Sequence, residues 1–251
     1  VNIFLKTLRR YYDDDILLLL GKEDHKLKEL ANNYKCIIKE ISTHKHSIQM
    51  MRYKFFSDFL KEKTFSNIFF CDSRDIYFQS DPFKYEYSST INFFSEGRLI
   101  KDCEINSNWI NKTYGKEILN EFKEKEIICF GTVLANQENM IKYLDQMSFM
   151  VKKYPYKKRL KYLLTFRRDK NGRGCDQAYG TYLVYNNYFK NFKIHSNSLG
   201  PIATVYYLKN LNFNKDSNLV NEKNQPYNVV HQYDKRWFEF EKNFKIFTKF
   251  N

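Results

Sequence analysis

Two aspartates follow a short apolar segment in the first third of the chain. Residues 68–71 are apolar, and Asp72, Arg74 and Asp75 come directly after them. This pattern predicts a short buried strand with both acids at its carboxyl end. Ligands of open α/β sheets bind at that edge, where two carboxylates flanking an arginine suit a hard cation and a phosphate-bearing ligand. The alternative is that the aspartates only cap or turn a loop.

A second acid lies far along the chain, where Asp176 and Gln177 begin a helix predicted to extend through Tyr185. Aspartate is common at the first position of a helix because its carboxylate accepts hydrogen bonds from free backbone N–H groups. Taken alone, Asp176 is therefore a helix cap. A catalytic role for Asp176 needs support from elsewhere in the sequence.

A histidine near the carboxyl terminus also has a position that suits a ligand. Val229 and Val230 predict a strand that ends at His231, with Lys235 shortly after it. Histidine is the commonest metal-binding side chain, although most single histidines are packing or surface residues. Both interpretations of His231 are open from these residues alone.

The helix predicted over residues 47–61 carries an arginine on its apolar stripe. Phe55, Phe56 and Phe59 form that stripe, and Arg52 falls on it rather than on the opposite face. Arg52 either extends its charged end to solvent or points to a carboxylate or diphosphate near the Asp72 segment.

A strand is predicted over residues 126–135, with a turn of small residues at Gly131 and Thr132. A helix is predicted to follow over residues 139–151. A strand, a turn of small residues and a helix together form a common geometry of binding sites. Gly131 would allow close approach of the backbone to a ligand, and an ordinary tight turn is the alternative.

The elements that must position these residues alternate along the chain. Helices are predicted over residues 2–12, 22–33, 47–61, 108–122, 139–151 and 174–185, and strands over 16–20, 34–38, 68–71, 91–94, 126–135 and 192–195. Alternation of this kind predicts an α/β fold in which helices connect parallel strands. At 251 residues and 43% hydrophobic, the chain can form a single domain over 1–251, with 237–251 as an amphipathic tail.

The order of these motifs resembles that of GT-A glycosyltransferases, especially the retaining, glycogenin-like enzymes. In those, an apolar strand leads into Asp-x-Asp, a few apolar residues and then Asp/Asn-Pro-Phe. The last part is Asp81-Pro82-Phe83 here, whereas Ser73 stands where the first acid of Asp-x-Asp falls. Glycogenin also has the motif His-x-x-Gly-x-x-Lys-Pro-Trp late in its chain. The corresponding segment here begins at His231 and has the form His-x-x-Asp-x-Arg.

The resemblance implies a mixed, mostly parallel Rossmann-like sheet flanked by helices. In these enzymes a nucleotide-binding strand usually precedes the first helix, and no such strand is predicted here. Some donor-binding residues are therefore expected outside this chain. It implies transfer from a UDP- or GDP-sugar to an acceptor hydroxyl, dependent on Mn²⁺ or Mg²⁺, with retention at the anomeric carbon. The roles it implies are metal binding by Asp75 and His231, catalysis by Asp176 and Gln177, and donor binding by Arg52, Asp72, Arg74, Gly131, Thr132 and Lys235.

Charge and cysteine usage limit the alternatives only loosely. The formal net charge of +13 attracts nucleotides, nucleic acids, acidic glycans or anionic lipid. Five scattered cysteines without CxxC spacing argue against a disulfide framework and a zinc site, so a reducing compartment such as the cytoplasm is favoured. No apolar run is long enough for a membrane-spanning helix.

Basic and aromatic residues alternate over 152–161, and the charge continues to Arg173. This segment gives the rival hypothesis of a nucleic-acid-binding protein or Mg²⁺-dependent nuclease, although the leading hypothesis expects no nucleic acid. A catalytically inactive binding module on the same scaffold is a third class. The tail either packs on the core or contacts an anionic membrane surface peripherally.

Overall fold

The computed structural model describes residues 1–41, 48–87, 89–154 and 175–241, which form a mixed α/β protein. The helices are α1 Asn2–Leu8, α2 His25–Asn33, α3 Ile48–Glu62, α4 Glu104–Tyr114, α5 Lys116–Phe122, α6 Gln137–Lys153 and α7 Cys175–Tyr185. The strands are β1 Leu17–Gly21, β2 Ile37–Ile41, β3 Asn67–Cys71, β4 Ile76–Phe78, β5 Ile91–Leu99, β6 Glu126–Asn136, β7 Phe192–His195, β8 Ile202–Thr204, β9 Asn212–Phe213, β10 Leu219–Val220 and β11 Val229–His231.

The predicted elements are confirmed in kind, with differences at their ends. The helix predicted over 108–122 is two helices, because the chain bends at Gly115. Gly115 has φ 93, and its N–H closes α4 by donating to the carbonyl of Asn111. Only glycine adopts that backbone conformation without strain.

The strands form several small mixed sheets in the described residues, so the expectation of one large, mostly parallel sheet is wrong there. The order of the four-stranded sheet is β3-β6-β5-β7, and β6 is antiparallel to both of its neighbours. A three-stranded sheet has the order β4-β11-β8. The four residues from Asp72 to Asp75 carry the chain from the first of these sheets to the second, which prevents β3 and β4 from extending one sheet.

Two edge strands border an apolar groove. Among the strands that the structure describes, β1 pairs only with β2, in parallel, and β3 pairs only with β6. Both line one cavity of about 280 Å³. The described part of the chain places no strand between them.

The main core lies between the four-stranded sheet and helices α3, α6 and α7. Tyr53 of α3 and Tyr143 of α6 are fully buried there against Phe70 of β3. Because Tyr53 is fixed in the core, the preceding residue, Arg52, is held at the end of β3. The packing of α3 therefore determines where the stripe arginine points.

Two sequence segments lie partly outside the described residues. Residues 155–174 carry most of the basic and aromatic segment, and 242–251 carry most of the tail. At the start of the tail, Phe240 is buried against Tyr77 and Phe213, while Phe238 is 86% exposed. Among the helices that the structure describes, none has the length and apolarity needed to cross a membrane.

Candidate metal centre and adjoining pocket

Three side chains from two sheets converge at one point. Asp72 follows β3, Asp75 precedes β4, and His231 ends β11. One potential ligand atom from each lies within 4.8 Å of the others. These three residues could therefore hold a metal ion.

Strand pairing explains why residues so far apart in sequence meet. β4 and β11 are antiparallel, and His231 lies opposite Ile76, the residue after Asp75. The backbone N–H of Gln232 donates to the Asp75 carbonyl at 2.7 Å, which continues the pairing. The expected meeting of Asp75 and His231 is observed, but through this antiparallel pair rather than the shared edge of one sheet.

The distances fit a single ion. Nε2 of His231 lies 3.6 Å from Oδ1 of Asp75 and 3.8 Å from Oδ2 of Asp72. Two ligands about 2.0–2.6 Å from one ion can span these separations. Nε2 is buried and has no hydrogen-bond partner among the described residues, and such an orphaned atom needs an explanation of this kind.

Cys129 orients the histidine ring from the other side, with its Sγ 3.2 Å from Nδ1 of His231. A proton on Nδ1 directed at the sulfur leaves the lone pair of Nε2 free for a cation. Burial alone would lower the pKa of His231, but Cys129 and Asp75 raise it well above its ordinary value. A proton and a metal ion therefore compete for Nε2.

His231 also affects Asp75. Burial would raise the pKa of the Asp75 carboxyl, but the adjacent His231 lowers that pKa below its ordinary value. Asp75 therefore remains an anionic ligand across the neutral pH range.

Gly131 makes room for the three ligands. A Cβ atom added to it would lie 2.7 Å from Oδ2 of Asp72 and 2.8 Å from Cε1 of His231. The predicted turn at Gly131 and Thr132 is wrong, because β6 continues through both residues. Its register against β5 shifts between Cys129 and Val133, so that residues 130–132 form an irregularity of the kind often found beside active sites.

Arg52 lies on the side of Asp72 away from His231. Its Nη1 is 2.5 Å from Oδ1 of Asp72, and its Nη2 is 3.2 Å from Oδ2 of Asp176. The side chain is 13% exposed, and its guanidinium lies over the Phe70 ring. Arg52 thus points to the acids, as one of the two interpretations expects, and does not extend to solvent.

Asp176 and Gln177 both line the same pocket as Arg52 and His231. Asp176 accepts a hydrogen bond from the Tyr53 hydroxyl at 3.0 Å in addition to its contact with Arg52. The amide nitrogen of Gln177 donates to the backbone carbonyl of Ile128. The structure therefore brings this pair to the metal-side wall of the pocket.

Other predicted donor-binding residues are placed differently. Lys235 lines the pocket, and its Nζ lies 3.3 Å from Oδ2 of Asp234. Thr132 is fully buried, whereas Arg74 is exposed. Neither residue lines the pocket.

The pocket has a volume of about 580 Å³ and extends beyond the metal centre to residues that sequence reasoning did not identify. They come from β5, α4 and the short 3₁₀ helix Val205–Tyr207. Burial raises the pKa of one of them, Glu96, to about 7. The five polar or aromatic residues among them are Glu96, Asn106, Trp109, Tyr206 and Tyr207.

Only a weak signal could have identified these residues. Asn106 and Trp109 are three positions apart in one helix and hence on one face. Glu96 precedes Gly97, whose φ of 71 marks an irregular strand.

No protein-family model matches the chain, and no curated protein matches its sequence.

Proposed function

We propose that this protein is a metal-dependent glycosyltransferase of the GT-A class that transfers a sugar from a nucleotide-diphosphate sugar to an acceptor hydroxyl. The observation that carries the proposal is the convergence of Asp72, Asp75 and the orphaned Nε2 of His231 beside a ligand-sized pocket, which Asp72 and His231 line. The resemblance in motif order supports the same reaction class.

Two carboxylates and one imidazole form a ligand set that suits Mn²⁺, with Mg²⁺ as the alternative. A cation held there would neutralise charge on the leaving diphosphate as a Lewis acid. Arg52 holds Asp72 in place from behind and balances part of the negative charge of the site. Lys235 lines the pocket and would supply a further cation for a phosphate-bearing ligand.

We further propose retention of anomeric configuration, on the resemblance of Asp176-Gln177 to the equivalent pair of retaining enzymes. Asp176 is anchored by Arg52 and Tyr53, so its carboxylate keeps a defined position beside the pocket. In such a reaction the acceptor oxygen bonds to the anomeric carbon as the bond between that carbon and the diphosphate oxygen breaks. The hydroxyl proton passes to the leaving diphosphate, and nearby polar groups stabilise the developing positive charge.

A thermal-shift screen of UDP- and GDP-sugars, with and without Mn²⁺, tests the proposal. We expect at least one nucleotide sugar to raise the Tm only when Mn²⁺ is present. Asp75→Asn should abolish this effect, while Asp216→Asn, which changes an exposed acid outside the site, should preserve it.

Equal Tm increases with EDTA and with Mn²⁺, or none with any nucleotide sugar, would refute the proposal. Where a donor binds, the anomeric configuration of the product separately tests retention.

A further inference from the structure

The part of the pocket beyond the candidate metal centre contains the carboxylate of a buried residue, Glu96, which has no hydrogen-bond partner among the described residues. Glu96 is 7% exposed and lines the pocket. Within the described residues, no hydrogen bond to its carboxylate is found, although its backbone carbonyl accepts one from Asn197 at 3.1 Å. Burial of a polar side chain without a partner is costly, so a ligand that donates hydrogen bonds would relieve that cost.

The backbone holds Glu96 at this wall. The register of β5 against β6 shifts between Ser95 and Leu99, so Glu96 lies in an irregular part of the strand. Gly97 follows with φ 71, and a Cβ atom there would lie 3.2 Å from the Cβ of Asn197. This strand geometry fixes the direction of the chain at Glu96 through the backbone.

Aromatic side chains line the same pocket as this carboxylate. Trp109 is partly exposed on α4, one turn from the buried amide of Asn106. Tyr206 is 49% exposed, and its ring lies beside that of Tyr207 at 4.6 Å between centroids. Exposed aromatic faces together with a buried carboxylate and amide offer both apolar ring contact and hydrogen-bond acceptors.

These groups discriminate between ligand chemistries. A phosphate-bearing ligand would be repelled by Glu96 in its ionised form, and a purely apolar ligand would leave the Glu96 carboxylate without a hydrogen-bond donor. A sugar ring has hydroxyls that can donate to the carboxylate and C–H faces that can pack on aromatic rings.

We propose that this part of the pocket is a subsite for a neutral saccharide, with Glu96 binding sugar hydroxyls and Trp109 and Tyr206 contacting the ring. Its assignment as the acceptor subsite rests on the proposed function, because the pocket continues from this subsite to Asp72 and His231. The acceptor is then itself a sugar rather than a peptide or lipid.

Tryptophan fluorescence offers a direct binding test, because the chain has two tryptophans. In a Trp237→Phe background, Trp109 is the only reporter. The full chain, without donor, is titrated with methyl glycosides of neutral hexoses and N-acetylhexosamines, and with a serine peptide for comparison. Saturation-transfer NMR on the unaltered chain gives a second measurement that needs no substitution.

We expect at least one glycoside to bind, and Glu96→Gln and Tyr206→Leu each to weaken its binding about tenfold or more, the scale of a lost charged hydrogen bond or ring contact. Glu104→Gln, which changes an exposed acid at the start of α4, is the matched control and should bind as the unaltered chain does. The Tm of each variant shows whether it is folded.

Binding of peptide but no glycoside, no binding in the panel, or glycoside affinity unaffected by both pocket variants would overturn the saccharide subsite. If a nucleotide sugar still binds with Mn²⁺ in these cases, the proposed function stands without it. Conversely, glycoside binding that depends on Glu96, without any nucleotide-sugar binding, supports the subsite and refutes the transferase.

Discussion

At the scale of single residues, His231 determines how the candidate metal centre responds to pH. Its pKa is raised by its neighbours, so near neutral pH the apo protein holds a proton where the metal would bind. Metal binding must release that proton, and affinity falls by up to about tenfold for each pH unit below the raised pKa.

We therefore predict that the increase in Tm caused by Mn²⁺ grows as the pH rises from 6 to 8. Without metal, protonated His231 stabilises the fold fully below its unfolded pKa of about 6.5, and this contribution is lost as the pH rises through the folded pKa. Glu96 changes stability in the same direction, because its pKa of about 7 also exceeds its unfolded value. Calorimetry in a Glu96→Gln background removes the titration of Glu96 itself, and a pH-independent effect of Mn²⁺ would contradict the prediction.

Arg52 carries the second residue-level prediction. Arg52→Met leaves Asp72 and Asp176 without their shared cation, so we expect a loss of about 1–3 kcal/mol in unfolding free energy, moderated because Asp72 is partly solvent-exposed. Nucleotide-sugar binding should weaken as well, since Asp72 loses its support.

The matched control is Lys54→Met on the same helix. It removes an exposed i,i+4 pair with Asp58 and should change stability by less than about 0.5 kcal/mol. Arg52 would have no structural role if both variants unfolded at the same urea concentration.

At the scale of elements, β6 places Gly131 against the metal ligands. In Gly131→Ala the added Cβ would lie 2.7 Å from an oxygen of Asp72 and 2.8 Å from the His231 ring, both closer than real contacts allow. We predict that this variant loses Mn²⁺ affinity by about tenfold or more, because displacement of a ligand distorts the site.

A double-mutant cycle with Asp72→Ala tests the cause. If the new methyl acts on Asp72, the two substitutions together should cost less affinity than the sum of the single losses. Strict additivity would show that Gly131→Ala acts through the strand backbone or through His231 instead.

The sequence predicted the elements that carry clear periodicity, and with them most of the residues of the candidate metal centre. Asp72, Asp75 and His231 were recognisable because each borders a short apolar strand. Glu96, Asn106 and Trp109 were not, since the pattern between residues 84 and 120 is weak and only tertiary structure brings β5, α4 and the Tyr206 helix to one pocket. The mixed sheets were also unpredictable, because strand direction is determined by long-range pairing.

At the scale of the whole molecule, a net charge of +13 favours any polyanion, so charge alone does not separate a nucleotide sugar from nucleic acid. The two ligands differ in how the protein would hold them. Nucleic acid binding depends on many phosphate contacts and on counterion release, whereas a nucleotide diphosphate would be held mainly through one metal centre.

We predict that nucleotide-sugar affinity depends on Mn²⁺ and falls only slightly between 50 and 200 mM salt. For nucleic acid, six to ten phosphate contacts would lower affinity about 10³–10⁵-fold over the same range. Isothermal titration of a UDP- or GDP-sugar at both salt concentrations, beside a single-stranded oligonucleotide, measures the difference.

Asp75→Asn is the discriminating variant, because loss of one acid should abolish metal-dependent sugar-nucleotide binding and slightly strengthen oligonucleotide binding by raising the net charge. Tight, strongly salt-dependent oligonucleotide binding, with none to either nucleotide sugar, would favour the nucleic-acid hypothesis.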